Sequence, residues 1–310
     1  MRGRKPIYVE SRIRSDLEAL WHATQDPTAH ARWDLRFSVI EYETPPGEQP
    51  RRFRYATTVA PHVTIAGTGE SLGDRDRPDG SRWSGLKFWA GDRRSIIDAG
   101  AGYWRYVPTD DGIRFLTRYD YRPRWGRAGE LVDRWLFRPL FGWATAWSFD
   151  RLRLWLEDGV TPERSRDLAL AHAAAVAGVA GVWLYQGAVP KLLRADEDEL
   201  ALWRRAGFAR RARAAVRAAG TAEVALGLAM AAGVGRRRIL LVTVGAMPVL
   251  AAAAVRLDRR VATRAFNPVS LNWALAALAA VGLATERGRP SGRRPLRAAP
   301  DVQPDVGALP

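Results

Sequence analysis

The chain has 310 residues, enough for two domains with a core each, and its lack of cysteine excludes disulfides, thiolate metal sites and cysteine nucleophiles. The net charge of +15 is uneven: residues 1–158 carry 26 basic and 22 acidic side chains (+4), and residues 159–310 carry the remaining 22 basic and 11 acidic (+11). Because this excess lies between runs of Ala, Leu and Val, it indicates a membrane protein and not a phosphate-binding face.

The N-terminal region opens with a strand and a helix. Residues 7–11 predict a short strand. Ser15 followed by Glu18 is a capping-box pattern, which predicts a helix from there to Asp26-Pro27.

Two later segments show strand patterns. Residues 51–59 and 113–121 alternate polar and apolar side chains with a period of two, typical of antiparallel strands with one covered face. Residues 129–158 then follow a helical pattern that Pro139 interrupts. Strands followed by a long final helix predict an α+β domain.

Three motifs in this region match a known superfamily. They are Trp21…Asp26-Pro27…Arg32-Trp33-Asp34, Gly102-Tyr103-Trp104-Arg105-Tyr106 and Phe149-Asp150-Arg151-Leu152. With them, residues 1–158 resemble the START-like helix-grip superfamily, which includes the polyketide cyclase-like (SRPBCC) proteins. The resemblance implies a sheet wrapped around the last helix, with an apolar cavity for a lipid-like ligand. It implies no particular reaction, since relatives bind or transform very different ligands.

Aromatic side chains are the candidates for lining the implied cavity. They are Trp33, Tyr55, Trp83, Trp104, Phe115 and Trp147. The alternative is that these rings pack in the core and at its rim, because aromatic side chains bury large areas in any small domain.

Four apolar segments follow a linker at 159–167. They are residues 168–193, 214–234, 239–255 and 269–285. Each is close to the roughly 17–25 residues that cross a bilayer core. The third and fourth carry no charged residue, whereas a soluble bundle would show a charged face on each helix. Residues 168–285 therefore predict an all-α four-helix transmembrane bundle.

Charges and termini bear on topology. Residues 1–30 contain no apolar signal segment, so the N-terminal domain is expected in the cytoplasm. Four spans place the C-terminus on the same side, with Arg236-Arg237-Arg238 between spans two and three. The loops 194–213 and 256–264 are basic too, so charge alone does not decide orientation. Residues 286–310, rich in Pro, Arg and Gly, are expected to be disordered.

Motifs in the apolar half match a second family. They are Trp183-Leu184-Tyr185-Gln186-Gly187-Ala188-Val189-Pro190-Lys191-Leu192-Leu193, Gly220…Glu223…Gly227 and Phe266-Asn267-Pro268-Val269-Ser270-Leu271-Asn272. On these motifs, residues 168–285 resemble the DoxX-like membrane family. Relatives of this type are associated with quinone-linked oxidoreductase complexes, which the resemblance carries over only as an analogy.

Polar residues inside the apolar segments are the candidate ligand-binding residues of the bundle. They are Glu223, Gln186, Lys191, Asn267 and Asn272. A carboxyl group in a membrane helix is costly, so Glu223 should face the interior with a partner or stay protonated, serving either function or helix packing alone. The candidate partners for Glu223 are Lys191, Gln186, Asn267 and Asn272. Asn267-Pro268 is typical of a helix start. With a single histidine, His172, in the bundle and no paired-histidine motif, no metal site is expected.

These patterns favour a non-enzymatic integral membrane protein in the cell membrane. Its cytoplasmic domain would bind a hydrophobic small molecule beside the bundle, and its partners would be membrane lipids and not nucleic acid. No resident cofactor is expected beyond a lipid or quinone, and the expected protein partner is a second copy or a membrane oxidoreductase. The alternative is a quinone-linked oxidoreductase subunit that uses Glu223, with electrons supplied by the quinone or a partner subunit.

Overall fold

A computed structural model describes residues 5–45, 48 and 50–299. The chain divides into two compact units. The sheet domain comprises Met1–Arg166 together with Gly288–Pro310, and the helical bundle comprises Asp167–Arg287.

Seven antiparallel strands form the sheet, in the order β1-β7-β6-β5-β4-β3-β2. The strands are β1 (Ile7–Ile13), β2 (Val39–Tyr42), β3 (Arg52–Ala60), β4 (Val63–Asp76), β5 (Arg82–Trp89), β6 (Ile97–Thr109) and β7 (Gly112–Pro123). Consecutive strands from β2 to β7 pair as neighbours, and β1 returns to pair with β7. The two alternating segments predicted as strands correspond to β3 and β7.

Among the residues that the structure describes, four helices belong to the sheet domain. They are α1 (Leu17–Gln25), α2 (Pro27–Trp33), α3 (Gly126–Val132) and α4 (Arg138–Asp158). The residue that caps α1 is Asp16 and not the predicted Ser15, because the Asp16 carboxylate accepts a hydrogen bond from Ala19 N at 2.8 Å. Pro139 lies in the first turn of α4, behind a wide helical turn at Asp133–Phe137, where its missing N–H costs little.

One face of the sheet is the inner face, and α4 packs on it against β1. Side chains of β1, β6 and β7 form the main core there with Trp33, Phe149 and Leu152. This arrangement is an α+β helix-grip domain, as the sequence predicted.

The segment after the bundle returns to the sheet domain. Leu296 pairs with Glu10 of β1 through two backbone hydrogen bonds of 2.9 and 2.8 Å. Ser291 N donates to the Asp150 carboxylate of α4 at 2.8 Å. Residues 286–299 therefore differ from the expected disordered tail, because backbone pairing to an edge strand needs no apolar side chains. Residues 300–310 of that predicted tail lie outside the described residues.

Five helices make up the bundle region. They are α5 (Pro162–Gly187), α6 (Glu197–Trp203), α7 (Ala212–Ala231), α8 (Arg236–Leu257) and α9 (Pro268–Ala284). Within the described residues, three helical stretches are long and apolar enough to cross a membrane, namely Pro162–Leu193, Glu197–Ala231 and Arg236–Leu257. The apolar α9 has 17 residues. These stretches and α9 correspond to the four predicted apolar segments, although the predicted 214–234 and 269–285 run three residues and one residue past the helix ends. Helix α5 begins inside the predicted linker.

Small residues bring the bundle helices together. Gly178 of α5 lies against Leu278 of α9, and Gly282 of α9 lies against Leu240 of α8. Trp183 of α5 donates from Nε1 to Thr243 of α8 at 3.2 Å. Close backbone approach and a few polar contacts are the means by which helices associate in lipid.

Candidate functional site

The C-terminal end of α5 widens into a turn at Ala188–Leu193. Pro190 lies within it and supplies no backbone N–H, so the regular hydrogen-bond ladder cannot continue. Arg194 N instead reaches back to Val189 O at 3.1 Å, and Asp196 N reaches Pro190 O at 2.8 Å. This turn carries Lys191, whose side chain is 9% exposed.

Lys191 is the centre of a charged cluster at this end of the bundle. Its Nζ lies 2.9 Å from Glu223 Oε2 of α7 and 3.7 Å from Glu199 Oε1 of α6. Trp203 Nε1 donates to the same Glu199 oxygen at 3.3 Å. We call Lys191, Glu199 and Glu223 the charged cluster. One buried cation therefore serves two carboxylates, which gives the intramembrane Glu223 the partner that its burial requires.

Two glycines make room for the charged cluster. A Cβ atom added to Gly187 would collide with the backbone carbonyl of Gly220 and with Glu223. One added to Gly220 would collide with Lys191 and with the backbone of Gly187. Because neither residue has a side chain, α5 and α7 approach closely enough for Lys191 and Glu223 to meet.

The other bundle candidates do not join the charged cluster. Asn267 caps α9: its Oδ1 accepts from Ser270 N at 2.9 Å, and its Nδ2 donates to Arg264 O at 2.9 Å. Gln186 and Asn272 are half-buried, and the described part of the chain offers neither side chain a hydrogen-bond partner. Sequence reasoning did not assign Glu199, although the acidic run Asp196-Glu197-Asp198-Glu199 was its signal.

In the sheet domain, three of the six aromatic candidates pack against one another in the core. Trp33, Trp104 and Phe115 are buried, and Phe115 stacks on Phe149 of α4 with ring centroids 4.5 Å apart. Trp33 lies 6.2 Å from the Trp104 ring and donates its Nε1 to Ala23 O at 2.8 Å. These three rings are part of the main core, and neighbouring core side chains pack around them.

Two further candidates lie elsewhere. Trp83 stacks on Tyr103 at 6.1 Å in a small cluster on the outer face of the sheet, because its position in β5 has the opposite parity to the inner-face residues. Trp147 lies on the side of α4 next to Gly292 of the C-terminal segment, with the Arg151 guanidinium 5.0 Å from its ring. Neither ring shares the inner face with Tyr55.

Tyr55 belongs to an aromatic group on the inner face of β2, β3 and β5. Cross-strand pairing of Tyr42 with Phe53 and of Phe53 with Gly69, then of Gly69 with Phe88, places these residues in one row, and Tyr55 lies two residues along β3. We call Tyr42, Phe53, Tyr55 and Phe88 the aromatic floor. All are half-buried except Phe53, which is buried.

Glycines lie beneath the aromatic floor. The Phe53, Tyr55 and Phe88 rings occupy the space where a Cβ would project from Gly69, Gly67 and Gly100 of the neighbouring strands. The rings therefore lie down across the sheet and do not stand upright from it. Tyr55 donates its hydroxyl to Trp89 O at 3.3 Å, and burial raises the pKa of Tyr55 to about 12, so the phenol stays neutral.

A polar cluster lies beside the aromatic floor. Arg36 donates to both oxygens of Asp34 at 2.9 and 2.6 Å, and His30 Nε2 lies 3.0 Å from Asp34. Burial alone would raise the pKa of Asp34, but the charge and hydrogen bonds of Arg36 and His30 outweigh it and hold that pKa well below its ordinary range. Burial lowers the pKa of His30. Phe37 links this cluster to the floor through an edge contact with Tyr55 at 5.5 Å.

In the ranges that the structure describes, no group of three or more His, Asp or Glu side chains is arranged to hold a metal ion. The two arrangements are suited instead to an apolar molecule on the aromatic floor and to ion pairing or proton exchange at the charged cluster.

Comparison with known proteins gives a family match in the bundle. The model of the DoxX-like family matches residues 180–280. The uncharacterized membrane protein YndG of Bacillus subtilis (strain 168) is 43% identical over 184 residues, which covers 59% of this chain and 69% of that protein.

Solved structures resemble the sheet domain more distantly. The protein TTHA0849 from Thermus thermophilus is 18% identical, covering 44% of this chain and 86% of its own, with a TM-score of 0.35. A STAR-related lipid transfer protein from Xanthomonas axonopodis is 16% identical, covering 48% of this chain and 84% of its own, with a TM-score of 0.37. The strand order and the packing of α4 on the sheet define the helix-grip fold of this domain.

Proposed function

The chain belongs to the DoxX-like family and is a membrane protein, and from this premise we propose that its sheet domain holds an apolar or lipid-like ligand. The ligand lies on the aromatic floor, and the bundle keeps the domain at the membrane from which such a ligand comes. The chain acts as a binding protein in this proposal and not as an enzyme.

The partial exposure of three of the four floor rings, Tyr42, Tyr55 and Phe88, is the observation that supports this proposal. In the β1, β6 and β7 half of the sheet, the inner face is covered by core side chains, whereas Tyr55, Leu86 and Phe88 remain half-buried. Rings that lie flat over glycines offer a broad apolar surface. Binding sites for apolar molecules are lined in this way, with a few polar groups that orient the ligand. Here the Tyr42 hydroxyl and the Arg51 guanidinium, 3.7 Å from the Tyr42 ring, are such groups.

Native mass spectrometry of the full chain tests the ligand. We expect the detergent-purified protein to retain a co-purifying lipid and, after delipidation, to take up deuterated palmitate. Phe88→Ala should reduce uptake several-fold, because it removes a ring from the floor. The matched control is Trp83→Ala, which removes a ring from the outer face of the same strand and should leave uptake unchanged. Equal uptake by both variants, or none by the unaltered chain, would refute the proposal.

We also place the sheet domain on the cytoplasmic side of the membrane. This orientation puts Arg236, Arg237 and Arg238 inside if α5, α7, α8 and α9 all cross, in agreement with the positive-inside rule. Because the chain has no cysteine, single cysteines can be introduced at Arg237 and at Asp198 without other changes. In whole cells, an impermeant maleimide should label the Asp198 position and not the Arg237 position. The reverse pattern would invert the topology.

A second candidate function is favoured by the charged cluster. A carboxylate held 2.9 Å from an ammonium group within a membrane bundle can exchange protons with a bound quinone, while a partner subunit supplies the electrons. On this hypothesis, Glu223→Gln abolishes quinone reduction in membranes at unchanged protein level, whereas Glu199→Gln only weakens it. Equal activity of the Glu223→Gln variant and the unaltered protein excludes this role.

A further inference from the structure

An exposed row of large apolar side chains runs along the end of α3, the turn after it and the start of α4. Its spacing of three and four residues places the row along one side of the helix. We call this row the apolar patch: Leu131 (60% exposed), Val132 (45%), Trp135 (73%), Leu136 (64%), Leu140 (54%) and Trp143 (39%).

The opposite side of the same helical segment is fixed to the sheet domain. Asp133 is buried, where it accepts a hydrogen bond from the Tyr121 hydroxyl at 2.6 Å and one from Arg138 Nε at 3.0 Å. Phe137 and Phe141 pack against the main core. The segment is thus held rigidly by one face while it presents a second apolar face outward, and a helix that is apolar on both faces is normally covered on both.

Exposed apolar residues elsewhere on the sheet domain do not form such a row. Among the described residues, Leu35, Val39, Val59, Trp89 and Leu296 lie apart from the apolar patch, and Trp125 is the residue that directly precedes α3. Scattered exposed apolar residues are normal on any protein, whereas a contiguous patch marks an interaction surface.

Cationic side chains accompany the apolar patch. Arg127 and Arg134 are exposed on the same helical segment, and the Arg134 guanidinium lies 5.3 Å from the Trp135 ring. Glu130 is the exposed carboxylate there. Tryptophan and leucine on a helix flanked by arginine are typical of segments that lie in the headgroup region of a bilayer, where the ring is apolar and its N–H stays wet.

We infer that the apolar patch inserts into the headgroup region of an anionic bilayer and so docks the sheet domain on the membrane surface. A bilayer is always at hand for a domain covalently joined to a membrane bundle, so weak interfacial affinity suffices. Anionic lipid complements the exposed Arg127 and Arg134, and the headgroup region accepts the exposed Trp135 and Trp143 rings with their N–H groups wet. This inference rests only on the chain being a membrane protein, and it stands or falls separately from the ligand proposal.

Depth-dependent fluorescence on the full chain tests the docking. The cysteine-free chain in nanodiscs of phosphatidylcholine and phosphatidylglycerol receives one cysteine, Leu136→Cys, carrying a nitrobenzoxadiazole label. The matched control is Val59→Cys, a position of similar exposure (57%) at the end of β3. Each label is quenched in turn by a nitroxide-bearing lipid and by water-soluble acrylamide.

Docking predicts opposite responses from the two labels. Quenching by the nitroxide lipid should be roughly threefold stronger at position 136 than at position 59, and acrylamide quenching correspondingly weaker. A higher phosphatidylglycerol fraction should strengthen the lipid quenching, and Arg127→Glu with Arg134→Glu should remove that dependence. Equal acrylamide quenching at both positions would overturn the inference. Shielding of position 136 from both quenchers would overturn it too, because a second copy or another protein would then cover the patch.

Discussion

Removing the cation of the charged cluster should destabilise the bundle more than removing either carboxylate. Lys191→Met leaves Glu223 and Glu199 facing each other without a counter-charge. Glu223→Gln leaves Lys191 with Glu199 as its partner, 3.7 Å away. We therefore expect Lys191→Met to be the more damaging single change.

The separations set the scale of the effect. At an effective dielectric constant of about 20, unit charges interact by about 6 kcal/mol at the 2.9 Å of Lys191–Glu223 and by about 4 kcal/mol at the 3.7 Å of Lys191–Glu199. These are upper limits, because desolvation opposes both and the Glu223 and Glu199 side chains retain 18% and 28% exposure. After that reduction we expect losses of about 3 kcal/mol for Lys191→Met and about 1 kcal/mol for Glu223→Gln.

The double variant of Lys191 and Glu223 tests whether the two charges stabilise the bundle as a pair. Lys191→Met with Glu223→Gln removes both charges of the closer pair, so its loss should be smaller than that of Lys191→Met alone. Thermal unfolding in detergent, followed by tryptophan fluorescence at one scan rate, should lower the Tm by about 6 °C for Lys191→Met and by about half that for the double variant. The exposed pair Arg237–Glu286 is the control, where Arg237→Gln should change little. Additive losses in the double variant would refute the coupling.

Three further changes have defined outcomes. Burial lowers the pKa of His30, so between that pKa and about 6.5 the unfolded chain binds a proton that the folded chain does not. The free energy of unfolding should therefore fall as the pH falls below about 6.5. His30→Gln should flatten this dependence in unfolding measured at several pH values, and an unchanged dependence would contradict the assignment to His30. Gly220→Val should lower the free energy of unfolding by about 1–3 kcal/mol through overpacking, measured as a lower Tm. Gly245→Val should be tolerated, because the space around Gly245 is open. Equal effects of the two substitutions would contradict the close approach of α5 and α7. Truncation after Arg287 removes the Leu296 pairing with β1 and should lower the unfolding temperature of the sheet domain; an unchanged temperature would show that the pairing contributes nothing.

Strands with alternating polar and apolar side chains could be predicted from the sequence, and strands without this alternation could not. In β3 and β7 the side chains alternate because one face is covered and the other is wet. In β4, Gly67 and Gly69 stand where apolar residues would mark the inner face, because the rings of Phe53 and Tyr55 occupy that space from β3. The sequence of β4 alone does not show that side chains from β3 cover its glycines, because this depends on which strands pair.

Register also decided which aromatic residues share a face. Trp83 and Phe88 are five residues apart in one strand, so a strand places them on opposite faces. The sequence-based list of cavity residues included Trp83 because the bounds of β5 and its pairing were unknown. The floor residue Phe88 was missed for the same reason.

The sequence predicted part of the charged cluster. Lys191 was among the partners proposed for Glu223, because a carboxyl in an apolar helix requires one. Glu199 was not foreseen, because the wide turn at Ala188–Leu193 redirects the chain and brings α6 back toward Lys191. A proline within a helical pattern announces an interruption but not the direction that the chain then takes.

Photocrosslinking in native membranes tests the central claim most directly. A photoactivatable fatty acid is added to membranes that contain the full chain, and crosslinked peptides are mapped after digestion. Ligand binding on the aromatic floor predicts crosslinks within β3 and β5, reduced by Phe88→Ala and not by Trp83→Ala. Crosslinks confined to the bundle helices, with none in the sheet domain, would contradict it.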